Sequence, residues 1–191
     1  MPRRDDLHGD DVFVVHDFLS ADECRHLITA SEAAGYADAP VSGPGGPVMH
    51  KSMRNNDRVM IDDGRLAAEL FARLGPFLPP HPFWRAVGLN ERFRYYRYAP
   101  GQKFDWHFDG SFVRPTGERS RLTFMVYLND GCRGGETMFN LRLNDDPPLR
   151  VAPAAGKALL FRHDVLHTGA VVKAGTKYVL RSDVMYARTP G

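Results

Sequence analysis

The triplet His107-Phe108-Asp109 is where this sequence can do chemistry. In an extended segment successive side chains alternate faces, so His107 and Asp109 point the same way and can grip one ion together. A His-x-Asp triplet alone is a weak motif, since His8-Gly9-Asp10 also fits. Context separates the two. The second follows a strand-like run from Phe93 to Tyr98, the turn residues Ala99-Pro100-Gly101 and a short aromatic-rich run, whereas the first sits in a polar N-terminal tail, residues 1–11. A third ligand must come from elsewhere, and Arg162-His163-Asp164-Val165-Leu166-His167-Thr168-Gly169 offers His163 and His167. Two histidines and one carboxylate on a β scaffold form the facial arrangement that leaves positions open on non-haem Fe(II). Zinc accepts the same set. A metallohydrolase would also need a general base poised near a metal-bound water, and no separate carboxylate or histidine is placed there by the sequence.

Ten residues beyond His167, Lys177 opens the run KYVLRSDVMY, whose alternation puts Lys177, Val179 and Arg181 on one face. A buried cation beside such a metal needs an anion. A dicarboxylate co-substrate, chelating the metal at one end and pairing with Lys177 or Arg181 at the other, meets that need; the plain alternative is two cations at an exposed strand edge.

The elements that must hold these residues follow from periodicity. Val12 to Phe18 reads as a strand, and Ser20-x-x-Glu23 as a capping box opening a helix with Cys24, Leu27, Ile28 and Ser31 on its apolar face, stopped by Gly35. PVSGPGGP, residues 40–47, is a flexible loop, either a tolerated surface excursion or a lid over a site. Arg54-Asn55-Asn56-Asp57-Arg58 is either a solvated turn or a substrate-recognition cluster, with Arg54, Asn56 and Arg58 as the donors. Asp63 caps a second helix with Leu66, Leu70, Phe71 and Leu74 on one face, ended by Gly75-Pro76. Short strands are predicted over 92–98, 122–129, 134–140, 149–153, 157–162, 167–172 and 177–186. Helices followed by many short strands imply an α+β fold whose β part is a double-sheet barrel or jelly roll.

The 191 residues suit one domain, with 12–90 as an N-terminal strand and helix elaboration and 91–187 as the core. With 43% hydrophobic and 25% charged residues the chain is neither disordered nor fibrous, and no apolar run approaches a membrane span. A net charge of +2 argues against a nucleic-acid or membrane-surface partner. Between Arg85 and Arg121, however, eight Lys and Arg face four Asp and Glu, which is either an anion-attracting rim or a set of solvated strand arginines. The charged N-terminus is no export signal, and two cysteines are no disulfide framework, so reduced thiols and a cytoplasmic setting are expected.

Across roughly residues 12–187 the chain resembles the Fe(II)/2-oxoglutarate-dependent oxygenases, specifically the prolyl 4-hydroxylase-like group. The resemblance rests on YAPGQKFDWHFD, LTFMVYLND, GGETMF, VAPAAGKALLF and HTGAVVKAGTKYVLRSDVMY, in that order. It implies a double-stranded β-helix (jelly-roll, cupin-like) core with supporting N-terminal helices. It implies further that His107, Asp109 and His167 ligate Fe(II), and that Lys177 binds the distal carboxylate of 2-oxoglutarate, with Arg181 as the runner-up cation. Tyr98 and Tyr127 match tyrosines that help hold the co-substrate, and Thr137 would line the same pocket. His167 is preferred to His163 because the pattern places the distal ligand before a small residue and glycine; His163 is then a satisfied structural histidine. The implied reaction consumes 2-oxoglutarate and O2, with ascorbate supportive, and hydroxylates a C–H bond. Its substrate is expected to be a prolyl or related side chain in a peptide or protein, or else a free amino acid or small natural product. A non-catalytic 2-oxoglutarate-binding module is disfavoured because every ligand and the co-substrate cation are present.

Overall fold

The structure, a computed structural model, describes residues 1–43, 45–141 and 147–189. Its strands are β1 (Arg3–His8), β2 (Val12–His16), β3 (Ala37–Asp38), β4 (Val41–Gly43), β5 (Gly46–Val48), β6 (Asp57–Asp62), β7 (Trp84–Leu89), β8 (Arg92–Tyr98) and β9 (Phe104–His107). They continue as β10 (Arg119–Tyr127), β11 (Arg133–Gly134), β12 (Thr137–Asn140), β13 (Leu149–Val151), β14 (Ala158–Arg162), β15 (Leu166–Gly169), β16 (Val172–Ala174) and β17 (Lys177–Arg188). The helices are α1 (Ala21–Ala34) and α2 (Gly64–Leu74).

A nine-stranded sheet runs β1-β2-β14-β10-β17-β8-β6-β3, with β7 also paired to β17, and a four-stranded sheet runs β13-β12-β15-β9. All the ladders between these strands are antiparallel. Alternation along the central strands builds two cores. On β10, Leu122, Phe124 and Val126 pack with Leu27 of α1 and Leu70 and Leu74 of α2, while Met125 and Tyr127 face the other way, against Phe139 of the small sheet. The large sheet is therefore apolar on both faces, which is why its strands read as nearly continuous hydrophobic runs. The space between the sheets holds the chemistry-bearing residues.

Both helix starts follow the sequence. The Ser20 hydroxyl accepts from the Glu23 N–H at 3.2 Å, the Glu23 carboxylate accepts from the Ser20 N–H at 2.8 Å, and Asp63 accepts from the Leu66 N–H at 2.9 Å. On α2 the buried stripe is Ala67, Leu70 and Leu74, with the predicted Leu66 and Phe71 flanking it half-buried.

Several expectations need correction. Residues 3–8 are not a tail but an edge strand whose alternating charges disguise it; Arg4 lies over the Phe13 ring at 4.0 Å and binds Asp6 at 2.6 Å. Residues 54–58 are no solvated turn, because Arg54 and Asn56 are buried and the chain runs directly into β6. The loop at 40–47 contains the β4–β5 hairpin; Pro44 falls outside the described residues. Strands β6 and β7 were not predicted. Among the described residues no helix is long and apolar enough to cross a membrane.

Two glycines, Gly134 and Gly156, leave no room for a Cβ against neighbouring backbone, and Gly156 is the tighter. Gly156 has φ +77°, and a Cβ there would meet the Leu19 carbonyl oxygen at 2.0 Å, just where the Leu19 N–H binds the Gly156 carbonyl at 3.1 Å. Gly156→Ala is expected to cost at least ~2 kcal/mol, a fall in Tm of roughly 4–8 °C by thermal unfolding. An unchanged Tm would contradict this.

Candidate metal centre

The three predicted residues converge. One ligand atom from each of His107, Asp109 and His167 lies within 4.8 Å of the others, a group able to hold a metal ion. Strand pairing brings this about: His107 ends β9 directly opposite His167 on β15, and their rings are 4.2 Å apart. Asp109 lies two residues past the end of β9, its N–H bonded to the His163 carbonyl at 3.1 Å.

Both imidazoles are oriented by backbone. Nδ1 of His107 is 2.7 Å from the Asp105 carbonyl and Nδ1 of His167 is 2.9 Å from the Val165 carbonyl. A carbonyl only accepts, so each Nδ1 carries the proton and each Nε2 keeps its lone pair free. Burial, reinforced by His167, pushes His107 down to about 3, and burial lowers His167 as well, so both rings stay neutral at physiological pH.

Asp109 sets one oxygen beside each histidine, Oδ1 near His107 and Oδ2 3.7 Å from Nε2 of His167. Oδ2 accepts from the Thr123 hydroxyl at 2.5 Å and from Arg181 at 3.0 Å. Oδ1 has no hydrogen-bond donor among the described residues and lies 3.8 Å from Nε2 of His107. Burial alone would raise this carboxyl, but Arg181 and the two histidines outweigh it and hold it well below its usual range. One anionic oxygen and two imidazole lone pairs thus face a common point, a donor set that suits a divalent first-row metal.

The cluster opens into a cavity of about 510 Å³. Its walls include Tyr98, Thr123, Lys177 and Arg181 from the inner face of the large sheet, Thr137 from β12 of the small sheet, and Arg54 and Arg58 from the segment before and within β6. Pro40 and Val41 reach the wall from the hairpin side.

The two candidate cations differ in state. Lys177 is buried, donates to the Gly135 carbonyl at 2.7 Å and lies 4.8 Å from the Tyr98 ring, with no carboxylate in ion-pair reach among the described residues. Its burial pushes the ammonium down to about 8. Arg181 instead bridges Asp109 at 3.0 Å and Asp183 at 3.1 Å, so its charge is matched within the protein.

Other predicted residues fall differently from expectation. Thr137 does line the cavity, but Tyr127 stands behind it with its hydroxyl on the Thr137 Oγ1 at 2.7 Å. Asn56 is fully buried outside the cavity, accepting from Nε of Arg54 at 2.8 Å and donating to the Asp57 carbonyl at 2.8 Å. His163 has neither ring nitrogen in hydrogen-bond geometry among the described residues, and its Nε2 is turned to Asp183 at 3.5 Å. Asp105, which shares the strand face of His107, is no ligand: it turns to Lys103 at 2.7 Å and lies outside the cluster. Three neighbours escaped the sequence reading: Thr123, Asp183 and Phe104, whose ring stacks on His107 at 3.6 Å; Arg94, one of the eight cations between Arg85 and Arg121, also lines the cavity. The alternation that groups Lys177, Val179 and Arg181 reaches Asp183 if carried one step further.

Comparison with known proteins bears on the same region. A family model described as the 2OG-Fe(II) oxygenase superfamily matches residues 93–182. The chain is 28% identical to probable prolyl 4-hydroxylase 3 of Arabidopsis thaliana over 87% of this chain and 66% of that protein. It spans about two thirds or less of the length of the first curated relatives it matches. Its fold is similar to a Pseudomonas putida prolyl-4-hydroxylase, with TM-score 0.63, 22% identity and coverage of 97% of this chain and 96% of that one. It is similar too to a Trichoplax adhaerens prolyl hydroxylase solved with a hypoxia inducible factor oxygen degradation domain peptide fragment, with TM-score 0.68, 15% identity and coverage of 93% and 84%. Jelly-roll fold, family match and relatives agree: residues 93–182 are similar to the 2OG-Fe(II) oxygenase superfamily, and the chain is similar to prolyl 4-hydroxylases.

Proposed function

We propose that the protein is an Fe(II)- and 2-oxoglutarate-dependent dioxygenase that hydroxylates a prolyl or related side chain in a peptide or protein. The observation that carries this reading is the state of Lys177: a buried ammonium in the wall of the same cavity as His107, Asp109 and His167, without a protein carboxylate to neutralise it. A buried cation of that kind is costly until an anion arrives, and the distal carboxylate of 2-oxoglutarate supplies one. The residues present fit the metal, because two neutral imidazoles and one ionised carboxylate offer three ligand atoms to one ion.

In this reading His107, Asp109 and His167 would hold Fe(II), with Thr123 and Arg181 fixing the carboxylate beside the two imidazoles. Bound together, iron, 2-oxoglutarate and O2 supply the oxidising chemistry, with succinate and CO2 as by-products and ascorbate keeping the iron reduced. Lys177, with Tyr98 and Thr137 beside it, receives the far end of the co-substrate. Phe108 and Phe112, 58% and 44% exposed, stand at the cavity rim and give an extended chain an apolar lip to rest on. The peptide held by the Trichoplax adhaerens structure supports the same substrate class. A second reading, hydroxylation of a free amino acid, is favoured by the guanidinium groups of Arg54 and Arg58 inside the cavity.

Succinate formation in the presence of Fe(II), ascorbate, O2 and 2-oxoglutarate tests the reaction, with pools of proline-containing peptides and of free amino acids added in turn. Metal-dependent succinate stimulated by the peptide pool is expected. Absence of succinate under every pool would count against it.

The pH dependence has a defined sign. Pairing requires the Lys177 ammonium, which is fully charged below its pKa of about 8 and lost above it. The Kd for 2-oxoglutarate is therefore expected to be flat below pH 8 and to weaken roughly tenfold per unit above it. Lys177→Arg should remove that rise; an identical profile in the variant would assign it to another group.

A further inference from the structure

The cavity holds more positive charge than its reaction needs. Arg54, Arg58, Arg94, Lys177 and Arg181 line it, against the carboxylates of Asp109 and Asp183. Binding Fe(II) with doubly negative 2-oxoglutarate leaves the excess unchanged, since the two charges cancel. Internal pairing absorbs part of the excess: Arg181 bridges both carboxylates, and Arg94 approaches Asp183 at 3.5 Å. Lys177 is matched by the co-substrate in the reading above, on which this step rests.

Arg54 and Arg58 remain. Neither has a carboxylate within ion-pair distance among the described residues. Arg54 is only 4% exposed, with its guanidinium 4.5 Å from the centre of the Tyr96 ring and 4.3 Å from that of Phe104. Its Nε is held by Asn56 at 2.8 Å and its guanidinium faces the Tyr96 and Tyr98 hydroxyls, while its Nη2 is buried with no partner in hydrogen-bond geometry among the described residues. Arg58 lies opposite Tyr96 in the β6–β8 register and lines the same cavity. Burial depresses the Arg58 guanidinium below its usual range, helped by the neighbouring Arg54, Arg94 and Arg181, the signature of a cation lacking its anion. A buried donor left unmade is expensive, and a guanidinium fork matches a carboxylate in shape as well as charge.

We infer that the substrate carries a carboxylate, received by Arg58 and the free Nη2 of Arg54, so that the site accepts an acidic substrate and discriminates against its amide. Arg54, clamped between two rings and Asn56, is the fixed half of this receptor. Arg58 is the half that closes it.

The carboxylate can belong to an acidic residue flanking a prolyl target or to a free acid, and two matched pairs separate these sources. One pair is a short proline-containing peptide with glutamate beside the proline, against the same peptide with glutamine. The other is N-acetylproline against its carboxamide. Binding is measured by calorimetry on the anaerobic protein loaded with Fe(II) and 2-oxoglutarate. The acid member of one pair is expected to bind on the order of 10- to 100-fold more tightly than its amide, and that pair identifies the source. Arg58→Gln should bring the ratio close to one while the coloured Fe(II)–2-oxoglutarate complex persists, and Arg58→Lys should restore part of it. Equal binding of acid and amide in both pairs, binding of none of the four, or a ratio that survives in Arg58→Gln would overturn the inference. The coloured complex is recorded before any probe is added; its absence from the wild-type protein would overturn the oxygenase reading instead, separately from the acid-to-amide ratio.

Discussion

Replacing His167 with alanine is expected to reduce Fe(II)-dependent succinate formation by at least ~10³-fold, because a metal centre contributes several kcal/mol to the reaction it promotes and two ligands hold it poorly. The size of the effect follows from geometry. His167 is 5% exposed, its proton is fixed on Nδ1 by the Val165 carbonyl, and its Nε2 lies 3.7 Å from Asp109 Oδ2. No other histidine of the described residues joins the cluster, since His163 turns its ring towards Asp183. His107→Ala should fall as far. The measurement is succinate released per protein, with bound iron determined in the same samples. Wild-type turnover in either variant would exclude the ligand set.

The second large effect belongs to Lys177. Lys177→Met keeps most of the volume and removes the charge, and the KM for 2-oxoglutarate is expected to rise about 30- to 100-fold. That is the lower part of the range for breaking a buried ion pair, because the free protein gains when an unmatched buried cation is removed. The same variant should therefore unfold at a Tm no lower than wild type in the absence of co-substrate. This combination separates a ligand-binding lysine from a structural one. A structural lysine would lose stability on replacement and leave KM unchanged, whereas Arg181→Met should destabilise the fold by stranding Asp109 and Asp183.

Much of this centre was legible in the sequence because it lies on strands. Period-two alternation is a strict rule, so His107 on a strand end and Lys177, Val179 and Arg181 on one face could be placed without coordinates. Capping residues were equally readable, since Ser20 with Glu23 and Asp63 act on backbone only three residues away. What the sequence concealed depends on contacts distant in the chain. Arg181 looked like a free cation until Asp109, 72 residues earlier, was seen against it. Tyr127 looked like a pocket residue, but Thr137 takes its hydroxyl and presents itself to the cavity in its place. The polar run from Arg54 to Arg58 had the composition of a solvated turn. Only the rings of Tyr96 and Phe104 on either side of Arg54 explain why it is buried. The edge strand β1 was hidden by the charges that protect it from further pairing.

The most direct measurement is an anaerobic titration of the purified protein with Fe(II) and 2-oxoglutarate, followed by visible absorbance, in wild type and in His167→Ala. One coloured complex per wild-type chain, absent from His167→Ala and requiring more 2-oxoglutarate in Lys177→Met, is the predicted result. A wild-type protein that develops no colour, or a His167→Ala variant that develops it at the same concentrations, would contradict an iron and 2-oxoglutarate site at these residues.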